Sequence, residues 1–288
     1  ADWEGGDLVG LANQIRSGYF EQMGVRALWL SPVNTGTGGL YPASDGVHMV
    51  SGFHGYWPIE PRTVDPRLGG NDALKDVVKA AHERGIRVLM DFVINHVHEE
   101  HTYFREHPDW FNDGCVCGSP GCDWTAERLT CLFADYLPDV NWTNTVASEQ
   151  FIEDALWWME HFDLDGARVD AVKHVDDLAI FNLVHRVNER FETAGTDYYL
   201  DGETAMGWSG DRLEDNTEQY GTINRYMGEF GLDGQFDFVL FHAVVNSVFA
   251  YGERGMLHLD AWTGFSQTEY TEGSIMTPYL GSHDTPRL

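Results

Sequence analysis

The strongest constraint on this chain is a recurring short run of β-branched and aromatic residues that ends in polar side chains. Six such runs occur in order: "RALWLSPV", "RVLMDFVINH", "GARVDAVKHV", "DYYLDGET", "GQFDFVLF" and "IMTPYLGSHD". Each is short and nearly continuous in apolar character, the pattern of strands covered on both faces. Helical patterns separate most of them. In "NDALKDVVKAAHERG", Leu74, Val77, Val78 and Ala81 fall on one helical face, and Gly85 is a natural stop. In "ASEQFIEDALWWMEHF", Ser148 is the expected N-cap and Ile152, Ala155, Leu156 and Met159 form the apolar face. Trp157 and Trp158 read as core rather than as sugar platforms. Strands alternating with helices imply a parallel sheet with helices outside.

Several runs carry polar clusters at their ends: Asn95-His96, Asp170 to His174, Glu203 and His283-Asp284. A doubly wound sheet would gather its chemistry at one switch point, whereas a (β/α)8 barrel draws it from several strand ends. The predicted fold class is therefore α/β, a (β/α)8 TIM barrel. A barrel needs eight strands and six runs are visible, so the expectation is a truncated barrel that lacks one strand before residue 1 and one after residue 288. Residues 97–147 show little periodicity and several aromatics. They read as a small irregular subdomain inserted in a barrel made of residues 1–96 and 148–288.

That stretch holds all four cysteines, Cys115, Cys117, Cys122 and Cys131. Two local disulfides, with three possible pairings, would staple it and put the protein in an extracellular or periplasmic compartment. A structural zinc site is the competing reading, but C-x-C lacks the usual spacer. The chain has 46 acidic against 18 basic residues, a formal net charge of −28. Such a surface repels phosphate backbones and anionic membranes, so neither nucleic acid nor a membrane is an expected partner. No apolar run approaches the roughly 20 residues of a membrane-spanning helix. A soluble, monomeric protein acting on a neutral ligand is the expectation.

The polar residues suggest what that ligand undergoes. In "GARVDAVKHV", Arg168 and Asp170 share one face of a strand, opposite Ala167, Val169 and Ala171. A guanidinium beside a carboxylate favours its ionised form, which a nucleophile needs. Glu203, between Asp170 and Asp284 in strand-end order, has negative neighbours that would keep its proton on, which an acid needs. Two carboxylates about 5 to 5.5 Å apart are the machinery of a retaining glycosidase.

These motifs together resemble the alpha-amylase family of glycoside hydrolases. "DFVINH", "GARVDAVKH", "DGET" and "GSHD" resemble four conserved motifs in their family order. "LPDVNW" resembles a further motif in the inserted subdomain, and "HGYWPIEPRTVDPRLGG" the loop before the second barrel helix. The resemblance implies that the six runs are strands two to seven, with the insertion after strand three. It implies Asp170 as nucleophile, Glu203 as acid/base and Asp284 as the carboxylate that binds sugar hydroxyls and helps distort the ring. Arg168 would hold the nucleophile, His96 and His283 would hydrogen-bond the sugar, and Tyr56 would stack under it. Asn95 and Asp139 match ligands of a calcium ion, Ca2+, with His174 giving a backbone carbonyl. Lys173 and His174 resemble the α-amylase pair that contacts the leaving-group side. Two departures stand out. Serine in "GSHD" resembles maltogenic amylases and neopullulanases, and Glu60-Pro61 replaces the usual Asp-Tyr.

The implied substrate is an α-glucan oligo- or polysaccharide, cleaved at α-1,4 bonds. A transglycosylase would use the same residues. Two remoter readings are a non-catalytic glucan-binding relative, which would normally have lost a carboxylate, and a metal-dependent barrel hydrolase. The latter draws on His-x-His in "NHVHEEH", but no H-E-x-x-H helix is present. His98 and His101 read instead as surface histidines in a polar loop.

Overall fold

The computed structural model describes residues 6–43 and 45–285; the expected outer limits at residues 1 and 288 lie outside that range. Helices α1 (Leu8–Arg16) and α2 (Tyr19–Gln22) lead into strand β1 (Ala27–Leu30). A hairpin of β2 (Leu40–Pro42) and β3 (Met49–Ser51) follows, then α3 (Gly70–His82) and β4 (Arg87–Phe92). Next come α4 (Thr102–Glu106), α5 (Thr145–Phe162), β5 (Gly166–Val169), α6 (Asp177–Phe191), β6 (Tyr199–Gly202) and α7 (Thr217–Asn224). The chain continues through β7 (Gly234–Gln235), α8 (Phe238–Leu240), a π-helical run at Phe241–Ala250, and α9 (Met256–Thr268).

Strands β1-β4-β5-β6-β7 form one sheet in sequence order, and every pairing is parallel. All five therefore point their C-terminal ends the same way. This is a (β/α)8-type barrel wall in part: five of the six apolar runs supply its strands. The sixth does not. Residues 275–284 contribute only a parallel bridge, Phe236 to Thr277. Ile275 N donates to Asp233 O (2.8 Å) and Thr277 N to Gln235 O (2.9 Å). Asp237 N donates in turn to Thr277 O (3.0 Å), and the ladder ends there. Gly234 permits this approach, because a Cβ there would lie 1.8 Å from the Ile275 carbonyl oxygen. The fifth run is likewise cut short. Asp237 caps α8 by accepting from Leu240 N at 2.9 Å, which turns the backbone out of the strand.

The helices cover the sheet with the faces expected. Leu74, Val77, Val78 and Ala81 of α3 are buried, as are Ile152, Ala155, Leu156 and Met159 of α5. Leu74 and Leu156 are wholly inaccessible, so cutting either to alanine should cost about 2–5 kcal/mol. The N-cap of α5 is not Ser148 but Asn144, whose side chain accepts from Val146 N and Ala147 N. The helix starts one turn earlier because Asn144 meets the free N–H groups first. Trp158 is core, donating from Nε1 to Pro61 O at 2.8 Å. Trp157 is half-buried, with the Arg62 guanidinium over its ring.

Between β4 and α5 the chain is mostly irregular, around its own small core of Val97, Trp110, Phe111, Val140, Ala147 and Phe151. Two interleaved disulfides, Cys115–Cys122 and Cys117–Cys131, take up all four cysteines, which removes the zinc reading. His98 and His101 are buried, not surface residues. Their Nδ1 atoms accept from Glu100 N and Tyr103 N, so each ring caps a local turn. No helix among the described residues is long and apolar enough to cross a membrane.

Candidate active site

The site begins with strand register. Arg168 of β5 lies directly beside Asp91 of β4 and Asp201 of β6. Because side chains alternate, this row faces one way, and Asp170 rejoins it two residues on. Arg168 Nη1 donates to Asp91 Oδ1 and Oδ2 (2.9 and 3.0 Å) and to Asp170 Oδ1 (2.5 Å). Its Nη2 pairs with Glu203 Oε1 at 3.0 Å. One guanidinium thus holds three carboxylates. Asp91 also accepts from Tyr56 Oη (2.6 Å) and Trp29 Nε1 (3.2 Å). The rings of Trp29 and Phe236 flank the guanidinium, with centroids 5.2 and 5.7 Å from it.

Backbone geometry fixes Asp170 against Glu203. Glu203 N donates to Val169 O (3.0 Å) and Val172 N to Glu203 O (2.8 Å), extending the pairing of β5 and β6 past the strands. Between them Ala171 adopts a left-handed conformation, φ 49°. A non-glycine residue there is strained, and such strain persists where the surroundings over-determine it. The turn aims Ala171 N at Glu203 Oε2, 3.2 Å away.

One positive charge cannot neutralise three carboxylates packed around it. Glu203 accordingly has its pKa pushed up to about 7, first by burial and then by the charge of Asp170. Asp91 is raised to about 7, also led by burial. The sequence expectation for Glu203 named its acidic neighbours; burial is the larger cause, and Asp284 is a minor one. Asp201, which accepts from Thr277 Oγ1 at 2.9 Å, is likewise raised to about 7 by burial.

Above this layer lies a cavity of about 500 Å³. Asp170, Glu203 and Asp284 line it, as do Tyr56, His96, Lys173, His174 and His283. Every expected catalytic and sugar-contacting residue therefore meets there, with Arg168 beneath. His96 Nε2 donates to Tyr56 O (3.0 Å), leaving Nδ1 buried without a partner. Burial holds its pKa below the ordinary range, so Nδ1 is an acceptor. His283 stacks on Tyr56 (centroids 5.2 Å, 15° between planes), and its Nε2 is 3.1 Å from Asp284 Oδ2. A larger groove of about 1040 Å³ adjoins the cavity and shares Trp57, Trp124, Phe133 and Leu137 with it.

Asn95, Asp139 and His174 also converge, behind the cavity wall. The Asn95 carboxamide lies 3.3 Å from Asp139 Oδ1 and 3.1 Å from the His174 carbonyl oxygen. Its nitrogen, turned inward, donates to both. Its oxygen, turned inward, makes three converging oxygens with no donor among them, which is what a hard cation needs. Asp139 is buried, its Oδ2 accepts from Asn112 Nδ2 (2.8 Å), and no described arginine or lysine contributes to its environment. Burial raises its pKa to about 8. A buried carboxylate without a cationic partner fits a calcium ligand.

Asp91, Trp29, Asp201 and Trp57 are part of this architecture, and the sequence alone does not single them out. Asp91 lay within "DFVINH", but only the register of β4 against β5 reveals that it faces Arg168.

The family model described as "Alpha amylase, catalytic domain" matches residues 2–288. The chain belongs to the alpha-amylase family (glycoside hydrolase family 13). An alpha-amylase of Niallia circulans is 27% identical over 303 residues, covering 99% of this chain and 53% of that protein. A cyclomaltodextrin glucanotransferase of Bacillus licheniformis is 27% identical over 99% of this chain and 39% of its own length. The crystal structure of alpha-amylase from Geobacillus thermoleovorans, complexed with acarbose, matches with a TM-score of 0.77 and 28% identity, over 98% of this chain and 56% of that one. The chain thus spans about half the length, or less, of the curated relatives it matches. As an alpha-amylase family member it carries the family's barrel strands in sequence order, with the acidic cluster at their C-terminal ends.

Proposed function

We propose that this chain is the catalytic-barrel portion of a retaining glycoside hydrolase that cleaves α-1,4-glucosidic bonds of starch- or maltodextrin-type glucans. The carrying observation is the shared guanidinium: Arg168 holds Asp170 and Glu203 side by side while Glu203 stays protonated up to about pH 7. In this reading Asp170 attacks the anomeric carbon, and Glu203 gives its proton to the leaving oxygen. A glycosyl–Asp170 ester forms as the glucosidic C–O bond breaks. Glu203, now ionised, takes a proton from water, whose oxygen attacks the same carbon and releases Asp170. Arg168 aims Asp170 through the hydrogen bond from its Nη1. Asp284 and the free Nδ1 of His96 bind sugar hydroxyls, and Tyr56 and His283 form one aromatic wall of the subsite. Lys173 and His174 lie on the leaving-group side. The adjoining aromatic groove supports an extended glucan rather than a disaccharide.

Calcium would be held by Asn95, Asp139 and the His174 carbonyl. Bound there it supplies the positive charge that the Asp139 cluster lacks. We read residues 97–147 as the inserted subdomain, and residues 1–96 and 148–288 as barrel. The two disulfides support an extracellular or periplasmic location. A transglycosylase is the second reading, favoured by the cyclomaltodextrin glucanotransferases among the relatives; a maltogenic or neopullulanase-type enzyme is a third, from Ser282 before His283. Product analysis of the full-length protein on starch, pullulan and cyclodextrins separates these. Maltodextrins released from starch support the hydrolase; cyclic or lengthened products turn the assignment to transfer.

A further inference from the structure

We infer that Arg128, carried by the disulfide-stapled loop, is a positioning residue that holds the Lys173–His174 turn and so sets how the site grips the leaving-group sugar. The inference rests on the function proposed above. Arg128 lies between Cys122 and Cys131, inside the loop closed by Cys117–Cys131. Its Nη1 donates to the Lys173 carbonyl (2.8 Å) and to the Tyr226 phenol oxygen (3.0 Å). Its Nη2 lies 3.7 Å from Asp177 Oδ1. Its own carbonyl accepts from His174 Nδ1 at 3.1 Å. One residue therefore grips both members of the pair, Lys173 through its side chain and His174 through its backbone.

The turn needs an external hold. Val172–His174 is a single 3-10 turn that follows the strained left-handed Ala171. Tyr226 Oη, 3.3 Å from the Lys173 carbonyl, is a second side chain on that carbonyl. An arginine suits the task because the two nitrogens of its planar fork reach a carbonyl and a phenol on one side and a carboxylate on the other, a spread that the single nitrogen of a lysine does not offer. The loop is itself fixed. Thr130 N and Cys131 N both donate to Glu127 O at 2.9 Å, and the Cys117 and Cys131 sulfurs lie within 4.8 Å of a His174 ring nitrogen. Trp124 and Phe133, on either side of Arg128 in sequence, pack edge-on against the same imidazole. The disulfides thus stiffen a clamp whose working end is the turn two residues beyond Asp170.

A clamp on the leaving-group side makes a prediction that a purely structural contact does not. Full-length wild type, Arg128→Gln and Arg128→Lys are assayed on maltoheptaose, whose leaving group is a sugar, and on a nitrophenyl α-maltoside, whose leaving group is not. Arg128→Gln should lower kcat/KM about tenfold on maltoheptaose, mostly through KM, and stay within about twofold on the nitrophenyl substrate. Arg128→Lys should fall between. Equal losses on both substrates, or no loss on either, overturn the inference. If Arg128→Gln does not fold, Arg128→Lys decides by the same split. A wild type that cleaves neither substrate overturns the proposed function, and this inference with it, so the two failures are distinguishable.

Discussion

Two buried acidic clusters share the wall of the cavity, and they balance their charge differently. Around Arg168, three carboxylates pack on a cation that the chain itself carries. Around Asp139, one carboxylate meets two asparagine amides and a carbonyl, with no arginine or lysine among the described residues acting on it. Both clusters draw on the same strand end: Asp91 belongs to the first and Asn95 to the second. The first cluster's cation is covalently tethered, so it is present whatever the solution holds. In the proposed function the second is completed by a cation from solution. In the proposed function this divides the labour: the permanent charge serves the chemistry, and the exchangeable one serves the joint between barrel and insertion.

The largest test of that division is Asp170→Asn, which keeps the shape of the Arg168 cluster and removes its nucleophile. Hydrolysis by the full-length protein should fall about 10⁴-fold or more, with the fold retained by circular dichroism. Rates near wild type would remove Asp170 from the chemistry.

The second test concerns the exchangeable charge. Calcium at about 100 times its dissociation constant would add about 2.7 kcal/mol to stability, and for a chain of this size that is roughly 4 to 5 °C in Tm. Excess chelator should therefore lower the Tm of wild type by that amount. It should leave the Tm of Asp139→Asn almost unmoved, because the variant has lost the charged ligand. An equal chelator response in both proteins would place the calcium elsewhere; no response in wild type would remove calcium from the joint.

How far the sequence reveals these clusters follows from what each contact depends on. Arg168, Asp170 and Glu203 are legible because they obey strand alternation and sit at the ends of apolar runs. Asp91 and Asp201 are not, because their meeting with Arg168 depends on register between strands, which no single strand encodes. The two helical faces of α3 and α5 are visible as periodicity, whereas the start of α5 was set by the first side chain able to cap it, Asn144. The strand expected at 275–284 is cut back to a bridge because its partner run leaves the strand at Asp237, which caps α8. The disulfide pairing and the buried caps His98 and His101 belong to an irregular segment, where neither periodicity nor composition carries the fold.

The smallest effect is the most diagnostic of cause. Glu203 has its pKa raised from the ordinary glutamate range to about 7 by burial and, second, by Asp170. The other charged groups that act on it are Arg168, which lowers it, and Asp284, which raises it slightly. The folded protein thus binds a proton that the unfolded chain releases, so this group's contribution to stability is present at low pH and is lost as pH rises from about 4.5 to about 7. The same proton sets the alkaline limb of kcat/KM, which should lie near pH 7. Asp170→Asn removes the second cause and leaves the first. Carboxyl-carbon NMR of Glu203 should show its pKa lower in Asp170→Asn than in wild type, yet still above the ordinary glutamate range, and the pH dependence of stability should flatten in step. An unchanged Glu203 pKa would mean that burial alone keeps the acid protonated. The Arg168 cluster would then be a device for aiming carboxylates rather than one for separating their charges.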